Sequence, residues 1–166
     1  MSLNTADLYD EYENDLQVAE PIFRHFGGRS KFHGMIVTVR VFEDNSLVRE
    51  RLKQSGHGRV LVVDGGGSLR CALLGDAMGK LAVASSWEGV LIYGCIRDIE
   101  LVRALPIGIQ ALATSPRKSY KRGEGKGDIP VMFAGVTFTP GHHLYADLDG
   151  IVTASRSLES GATVLV

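Results

Sequence analysis

The sequence predicts an α/β protein with a central parallel β-α-β unit and a β-rich C-terminal half. Two short, continuous apolar runs, residues 60–63 and 90–93, each lie just before glycine, as is typical of strands buried on both faces. Between them, residues 76–87 contain good helix formers with apolar side chains at helical spacing. A strand, a helix and a strand in this order form a right-handed crossover, so we expect the two strands to be parallel.

The composition is typical of one compact globular domain, which we expect to span residues 1–166. Of the 166 residues, 45% are hydrophobic and 22% are charged, enough apolar sequence for a single core. The formal net charge is −1 and no basic helix face is visible, so direct nucleic-acid binding is not expected. Cys71 and Cys95 form no CxxC motif, and neither a secretory leader nor a membrane-length apolar run is visible, which predicts a cytoplasmic protein.

Local patterns predict the elements around the central unit. Apolar residues at four-residue spacing predict an amphipathic helix over residues 5–18, and alternating apolar residues predict a strand over 33–42. A short helix is expected over 46–52, where Asn and Ser are typical caps. A further short helix over 99–105 and a strand over 107–113 are expected after the central unit.

The C-terminal part is predicted to consist of strands. Residues 131–155 alternate between apolar and polar side chains, and the dipeptides Pro140-Gly141 and Asp149-Gly150 are typical of turns between strands.

Three charged residues are expected to meet at one edge of the predicted sheet. Ligand sites of parallel α/β sheets lie beyond the carboxyl ends of the strands. Gly75-Asp76 lies at the start of the central helix at that edge, and Arg97-Asp98 directly follows the second strand at the same edge. Asp76, Arg97 and Asp98 should therefore converge. Structural roles stay open at this point, with Asp76 as a helix cap and Arg97-Asp98 as a strand-end ion pair.

A basic, glycine-rich segment over residues 116–128 predicts a mobile loop. One interpretation is a cationic flap over an anionic substrate, or a contact to a partner. The favoured interpretation is an ordinary solvated surface loop.

The glycine turn after the first central strand suggests a nucleotide or methyl-donor site, as in a methyltransferase. However, residues 62–69 lack the GxGxxG pattern. Gly79-Lys80 is followed by Leu81, where a phosphate-binding loop requires Ser or Thr. Such a site is therefore disfavoured.

The chain resembles the family of regulator of ribonuclease activity A, which includes metal-dependent 4-hydroxy-4-methyl-2-oxoglutarate aldolases. The aldolase members share an aspartate followed, after twenty residues, by Arg-Asp, and Asp76 and Arg97-Asp98 match this signature. The long spacing and the charge of all three residues make the signature specific. The resemblance covers nearly the whole chain, through ADLYDEYENDLQVAEPIFRHFGGRSKFHG, VFEDNSLV, GRVLVVDGGGSLRCALLGD, WEGVLIYGCIRD, IGIQALATSPRKS, AGVTFTPG and HLYADLDGI.

This resemblance implies a swivelling β/β/α-type fold, assembled as a homotrimer with sites between subunits. It also implies a divalent-metal-dependent lyase that cleaves 4-hydroxy-4-methyl-2-oxoglutarate to two pyruvates and decarboxylates oxaloacetate through the same pyruvate enolate. Two alternatives stay open. The first is a non-enzymatic protein inhibitor of ribonuclease E, and the second is the less favoured methyltransferase.

For such a lyase, the chemistry assigns a role to each residue of the signature. Mg²⁺ or Mn²⁺ prefers oxygen ligands, so Asp98 would bind the metal directly while Asp76 holds metal-bound waters. Arg97 would stabilise the oxyanion as the keto oxygen of a 2-oxo acid becomes an enolate. The substrate carboxylate would be received at the N-terminus of the helix by backbone N–H groups. The expected substrate-binding residues are Gly75, Asp76, Ala77, Met78 and Arg97.

Overall fold

In the computed structural model, which describes residues 3–158, four helices lie among the strands up to residue 102, and strands follow from there. The helices are α1 (Thr5–Tyr12), α2 (Ser46–Leu52), α3 (Asp76–Ala84) and α4 (Ile99–Val102), with a 3-10 turn at Glu13–Asp15. The strands are β1 (Leu16–Val18), β2 (Arg24–His25), β3 (Phe32–Arg40), β4 (Arg59–Asp64), β5 (Ala72–Leu74), β6 (Gly89–Ile96), β7 (Gly108–Thr114), β8 (Lys126–Gly127), β9 (Val131–Phe133), β10 (Val136–Phe138), β11 (His143–Asp147) and β12 (Gly150–Ala154).

Ten of the strands in the described range form one mixed sheet. Its centre consists of the parallel strands β3, β4, β6 and β7. Beyond β3, the sheet continues with the antiparallel strands β11, β12 and β1, and β2 lies at the other end beside β7. β5 pairs with β6, β8 pairs with β3, and β9 and β10 form a separate hairpin. The predicted parallel β-α-β unit is confirmed as β4, α3 and β6.

The central strands are buried on both faces, as their continuous apolar sequence predicts. On one face, Leu61, Val63 and Ile92 pack against α2, α3 and α4. On the other face, Val62 and Leu91 pack against β11 and the β9–β10 hairpin. Burial contributes roughly 1.5–3 kcal/mol for each such side chain. The resulting layers, helices, central sheet and a second β layer, form the single compact α/β fold that was expected.

Several elements differ from the sequence-based expectation. The helix predicted over residues 5–18 ends at Tyr12, and Leu16 instead begins β1, where it pairs with Ala154. Leu16 continues the four-residue apolar spacing of the helix but lies in a strand, because pairing with a distant segment outweighs local helix propensity. The second difference is β5, which the sequence reasoning missed. Ala72 of β5 pairs with Cys95 near the end of β6, so the chain enters α3 directly beside the residues that leave β6.

The two-residue strands β2 and β8 were not predicted either. The remaining helices and strands lie close to their predicted ranges. α3 ends at Ala84 and α4 at Val102, each three residues earlier than expected. No helix within residues 3–158 is both long and apolar enough to cross a bilayer. Cys71 and Cys95 are buried and free.

Candidate active site

Two chain segments meet at the start of α3, because β5 and β6 are neighbours that end at the same edge of the sheet. Gly75-Asp76 follows β5 and Arg97-Asp98 follows β6. The backbone N–H of Asp76 donates a hydrogen bond to Oδ2 of Asp98 over 3.1 Å. The convergence expected from the sequence is therefore present, with residues 22 positions apart in direct contact.

The backbone of Asp98 adopts the left-handed conformation, with φ 62° and ψ 43°. This conformation costs a non-glycine residue roughly 1–2 kcal/mol, although Asp tolerates it better than most residues do. The carbonyl of Asp98 accepts hydrogen bonds from the N–H groups of Leu101 and Val102, at 3.0 and 2.9 Å. Asp98 thus begins α4 with its backbone while its carboxylate contacts the N-terminus of α3. Backbone strain of this kind is concentrated at functional sites.

The carboxylate of Asp76 is held in its ionised form. A hydrogen bond with the Asp98 side chain is the main cause of a lowered pKa at Asp76, which partial burial opposes and the Lys80 ammonium reinforces. Lys80 Nζ lies 3.4 Å from Oδ2 of Asp76. Two carboxylates in such contact repel each other unless a proton or a cation lies between them. This pair therefore provides a site for positive charge.

Arg97 is fixed at both its backbone and its side chain. Its N–H donates to the carbonyl of Leu74 over 3.0 Å, and its Nη1 donates to the carbonyl of Pro116 over 3.2 Å. A guanidinium has five N–H donors, so this contact leaves several for a bound anion. Arg97 is thereby oriented by the first residues of the basic segment 116–128.

All the sequence-predicted site residues line one cavity of about 340 Å³, a size within the range of about 300–1,000 Å³ that is usual for small-molecule sites. The cavity also contains residues of α2 and of the basic segment. Its lining consists of Asn45, Ser46, Arg49, Glu50, Lys53, Ala72, Leu74, Gly75, Asp76, Ala77, Met78, Arg97, Asp98, Lys118, Ser119 and Lys121.

The basic segment 116–128 is therefore more than the solvated surface loop that was favoured from sequence. Most of its side chains are exposed, but Lys118, Ser119 and Lys121 line the cavity. Lys121 Nζ donates to Oδ1 of Asn45 over 3.5 Å, and Nδ2 of Asn45 contacts Sδ of Met78 over 3.1 Å. These contacts link the segment to the first turn of α3.

The chemistry of the donor set at this site fits a hard divalent cation. Within residues 3–158, no group of three or more His, Cys, Asp or Glu side chains is placed to hold a metal. Asp76 and Asp98 together provide carboxylate oxygens alone, and Mg²⁺ is typically bound by one or two carboxylates with several waters. Among the described residues, no group of three or more cysteine or histidine side chains is placed to bind a metal that prefers sulfur or imidazole ligands.

In the glycine turn after β4, the backbone N–H groups of residues 65–67 are all paired within the described part of the chain, so none is free to bind a phosphate or a methyl-donor cofactor. The N–H groups of Gly65 and Gly67 both donate to the carbonyl of Tyr93 over 3.1 Å, and that of Gly66 donates to Oδ1 of Asp64 over 2.9 Å. A cradle for an anionic cofactor requires unpaired backbone N–H groups. These hydrogen bonds instead connect the turn at the end of β4 to Tyr93 of β6.

Comparison with known proteins identifies the family. The RraA-like model, described as Aldolase/RraA, matches residues 5–153. The chain belongs to the RraA-like family. A relative from Pseudomonas fluorescens (strain Pf0-1), provisionally named a 4-hydroxy-4-methyl-2-oxoglutarate aldolase, is 54% identical over 93% of this chain and 95% of its own.

Two solved structures with different names also match this RraA-like chain. The RNA-processing inhibitor RraA from Thermus thermophilus is 44% identical over 98% of both chains, with a TM-score of 0.93. A protein from Geobacillus kaustophilus HTA426, named an S-adenosylmethionine:2-dimethylmenaquinone methyltransferase, is 50% identical over 93% of this chain and 96% of its own, with a TM-score of 0.92. Because one fold carries three functional names, function has to be argued from the site.

Sequence reasoning missed the part of the RraA-like cavity that comes from α2 and the basic segment. Asn45 was interpreted only as a helix cap, yet its side chain contacts Leu73 and Met78. Ser119 carried no signal, because a single serine in a polar loop is unremarkable. The positive charge of the segment was the one sequence feature that suggested a position beside the cavity.

Proposed function

We propose that this RraA-like protein is a divalent-metal-dependent lyase that cleaves 4-hydroxy-4-methyl-2-oxoglutarate to two pyruvates and decarboxylates oxaloacetate. The observation that carries the proposal is the contact between Asp76 and Asp98, with the guanidinium of Arg97 in the same cavity. The provisional names of relatives such as the Pseudomonas fluorescens protein support the same assignment.

In this proposal, Asp98 holds a Mg²⁺ or Mn²⁺ ion and Asp76 holds waters of its hydration shell. Such an ion, when bound, acts as a Lewis acid toward the oxygens of a 2-oxo acid. The lowered pKa of Asp76 makes this carboxylate a weak proton acceptor, which favours a binding role over that of general base.

The substrate carboxylate would lie at the N-terminus of α3. Because the first N–H groups of a helix have no intrahelical partners, that of Met78 can donate to an anion, and Gly75 allows a close approach. The N–H of Ala77 would be shared between this anion and the Asp76 carboxylate. Arg97 would donate to the keto oxygen and stabilise the negative charge that grows there. Breaking the C3–C4 bond leaves its electron pair on the pyruvate fragment as an enolate, and the C4 hydroxyl loses its proton as the second pyruvate forms.

Loss of CO₂ from oxaloacetate leaves the same enolate, so a single site would serve both reactions. Protonation of the enolate at C3 then gives pyruvate in each case.

The test is pyruvate release by the purified protein. A lactate dehydrogenase-coupled assay should detect pyruvate from both substrates, with turnover abolished by EDTA and restored by Mg²⁺ or Mn²⁺. A blank with metal and no protein corrects for spontaneous oxaloacetate decay. Absence of pyruvate from both substrates at every metal concentration would overturn the proposal.

A second candidate function is inhibition of ribonuclease E by a cytoplasmic homotrimer. It is supported by the likeness to the Thermus thermophilus RNA-processing inhibitor. A pull-down with ribonuclease E separates the two candidates, since binding with no pyruvate release favours the inhibitor. The methyltransferase alternative has less support, because the N–H groups of the glycine turn are already paired within the chain.

A further inference from the structure

Two histidines from neighbouring strands contact each other through their rings. In the antiparallel pairing of β3 with β11, His33 lies opposite Tyr145 and His143 lies opposite Met35. Because side chains alternate along a strand, His33, Tyr145 and His143 point to the same face of the sheet. Nδ1 of His33 lies 3.3 Å from Nε2 of His143. The register of the two strands therefore brings two imidazole nitrogens together.

The ring of Tyr145 fixes the orientation of both imidazoles. It stacks on His33 at an angle of 14°, with the ring centroids 5.5 Å apart, and its centroid lies 4.9 Å from that of His143. Tyr145 is fully buried, and its hydroxyl accepts a hydrogen bond from the N–H of Leu158 over 2.7 Å. Because the rings are held before any ligand arrives, binding requires little ordering of side chains.

The separation of the two nitrogens matches one edge of a tetrahedral metal site. Zn²⁺ binds imidazole nitrogens at about 2.0–2.1 Å, so two such ligands at the tetrahedral angle lie about 3.3–3.4 Å apart. Both histidines are partly exposed, so an ion can reach the nitrogens from solvent and keep waters as its other ligands. The contact between His33 and His143 thus has the spacing of a metal chelate.

We propose that His33 and His143 form a binding site for Zn²⁺ or a similar divalent ion that prefers imidazole ligands. A ligating nitrogen must carry a lone pair. The ring that donates the hydrogen bond within the pair would therefore move that proton to its other nitrogen, which leaves a lone pair on both facing nitrogens without net proton release. Since only two ligands come from these side chains, the ion exchanges with solvent more readily than in a closed structural site.

This histidine site is separate from the cavity that contains Asp76 and Asp98. His33 lies near the start of β3, whereas the cavity lies beyond the carboxyl ends of strands parallel to β3. The ligand chemistry also differs, because the cavity offers carboxylate oxygens and the histidine site offers imidazole nitrogens. Zn²⁺ binding at the histidines is therefore independent of the proposed lyase chemistry.

The first measurement is the visible absorption of Co²⁺ added to the full-length protein. Co²⁺ can replace Zn²⁺ in tetrahedral sites and then absorbs strongly, whereas an octahedral site of oxygen ligands absorbs weakly. We expect strong absorption for the wild type and for Asp98→Asn, and its loss when Zn²⁺ is added. Weak absorption by the wild type would overturn the histidine site, as would strong absorption that Asp98→Asn removes.

The second measurement is titration calorimetry with Zn²⁺ alone, carried out on Asp98→Asn protein so that the cavity does not contribute. Adding His33→Gln or His143→Gln should weaken binding by at least about tenfold, since even loss of an outer-shell partner costs about 10–100-fold. The matched controls are His142→Gln, the neighbour in sequence that precedes β11, and His57→Gln, an exposed histidine between α2 and β4. Neither control should change the affinity.

Melting temperatures provide a readout of the same site. Zn²⁺ should raise the melting temperature of the wild type, because an ion that binds the folded state stabilises it, and should not raise that of His33→Gln or His143→Gln. Melting without metal checks that each variant folds, and the Co²⁺ spectrum of the wild type decides the question if a variant does not. Zn²⁺ affinity that is unchanged in both folded variants would overturn the site.

Discussion

Gly75 and Asp98 are so close that no side chain fits between them. A β-carbon built on Gly75 would lie 2.5 Å from Oδ2 of Asp98, well inside van der Waals contact. Gly75 has φ −130° and ψ −162°, an extended conformation open to every residue. Glycine is therefore needed here for space beside the carboxylate and not for backbone freedom.

Gly75→Ala should displace the Asp98 carboxylate while the fold survives. We expect the hydrogen bond from the Asp76 N–H to be lost and pyruvate release to fall by about tenfold or more, since small misplacements at a reacting centre are costly. The measurements are kcat with saturating Mg²⁺ and far-UV circular dichroism. Wild-type turnover in a folded Gly75→Ala protein would show that the position of Asp98 is unimportant.

Arg97→Ala should lower kcat by about 10²–10³, because removal of a donor to a developing oxyanion has an effect of this size. Its side chain donates a hydrogen bond to the Pro116 carbonyl, and loss of this single contact should change the melting temperature little. Arg97→Lys should restore only part of the activity, since an ammonium lacks the planar guanidinium fork. An Arg97→Ala variant that loses only substrate affinity would assign Arg97 to ground-state binding instead.

Asp98→Asn should abolish binding of the divalent cation. Electron paramagnetic resonance of added Mn²⁺ measures the free ion directly, without reference to activity. We expect bound Mn²⁺ for the wild type, weaker binding for Asp76→Asn and none for Asp98→Asn, because a direct carboxylate ligand contributes more than one acting through water. Glu100→Gln is the control, an exposed acid two residues away in α4. Undiminished Mn²⁺ binding by Asp98→Asn would remove Asp98 from the metal site.

The protein should be a trimer in solution, with three times the chain mass of 17.9 kDa. Phe42, Leu69 and Tyr120 are 57%, 60% and 57% exposed, and β1 and β2 leave strand edges at the two ends of the sheet. Exposed apolar side chains and open edges of this kind are commonly covered in oligomers. Multi-angle light scattering at micromolar concentration measures the mass, and a single species at the monomer mass would contradict the expectation.

The parts of the fold that could be predicted depend on local pattern. The runs at residues 60–63 and 90–93 identify β4 and β6, since strands covered on both faces need apolar side chains at every position. Leu16 shows the limit of this reasoning, because its strand exists through pairing with Ala154, far away in the sequence. The three residues of β5 are too few to show a periodicity, and they become a strand only beside the end of β6.

The same limit applies to the site. The proximity of Asp76 to Arg97-Asp98 could be predicted from the sequence, because parallel strands place their carboxyl ends at one edge of the sheet. The cavity wall formed by α2 and the basic segment could not be predicted. No local sequence pattern indicates that residues 118–121 fold back onto Ala72 and Asn45. The buried carboxylate of Asp44 also contributes to that fold-back, through hydrogen bonds to Arg122 and Glu124.

Asp44 fastens the basic segment to the start of α2, and its removal should loosen the cavity wall. The residue is 1% exposed. Its carboxylate accepts hydrogen bonds from the N–H and hydroxyl of Ser46 at 2.9 and 2.6 Å, and from the N–H groups of Arg122 and Glu124 at 2.7 and 3.3 Å. Asp44→Asn places an amide among these donors, so we expect the free energy of unfolding at pH 7 to fall by about 1–3 kcal/mol.

The effect of Asp44→Asn should depend on pH in a defined direction. Burial alone would raise the pKa of Asp44, but the hydrogen bonds from Ser46, Arg122 and Glu124 outweigh it and hold that pKa below its ordinary value. The folded structure therefore stabilises the ionised form of Asp44 more than the unfolded chain does. This stabilisation is complete above the unfolded pKa of about 3.9 and is lost as pH falls through the folded value. Urea unfolding should thus show a large difference in the free energy of unfolding between wild type and variant at pH 7, and this difference should shrink toward pH 3.

Asp128→Asn is the control, because Asp128 is an exposed carboxylate of the same segment, paired with Arg51. This variant should change stability little at either pH. A constant difference across this range would mean that the Asp44 charge contributes nothing to the anchor.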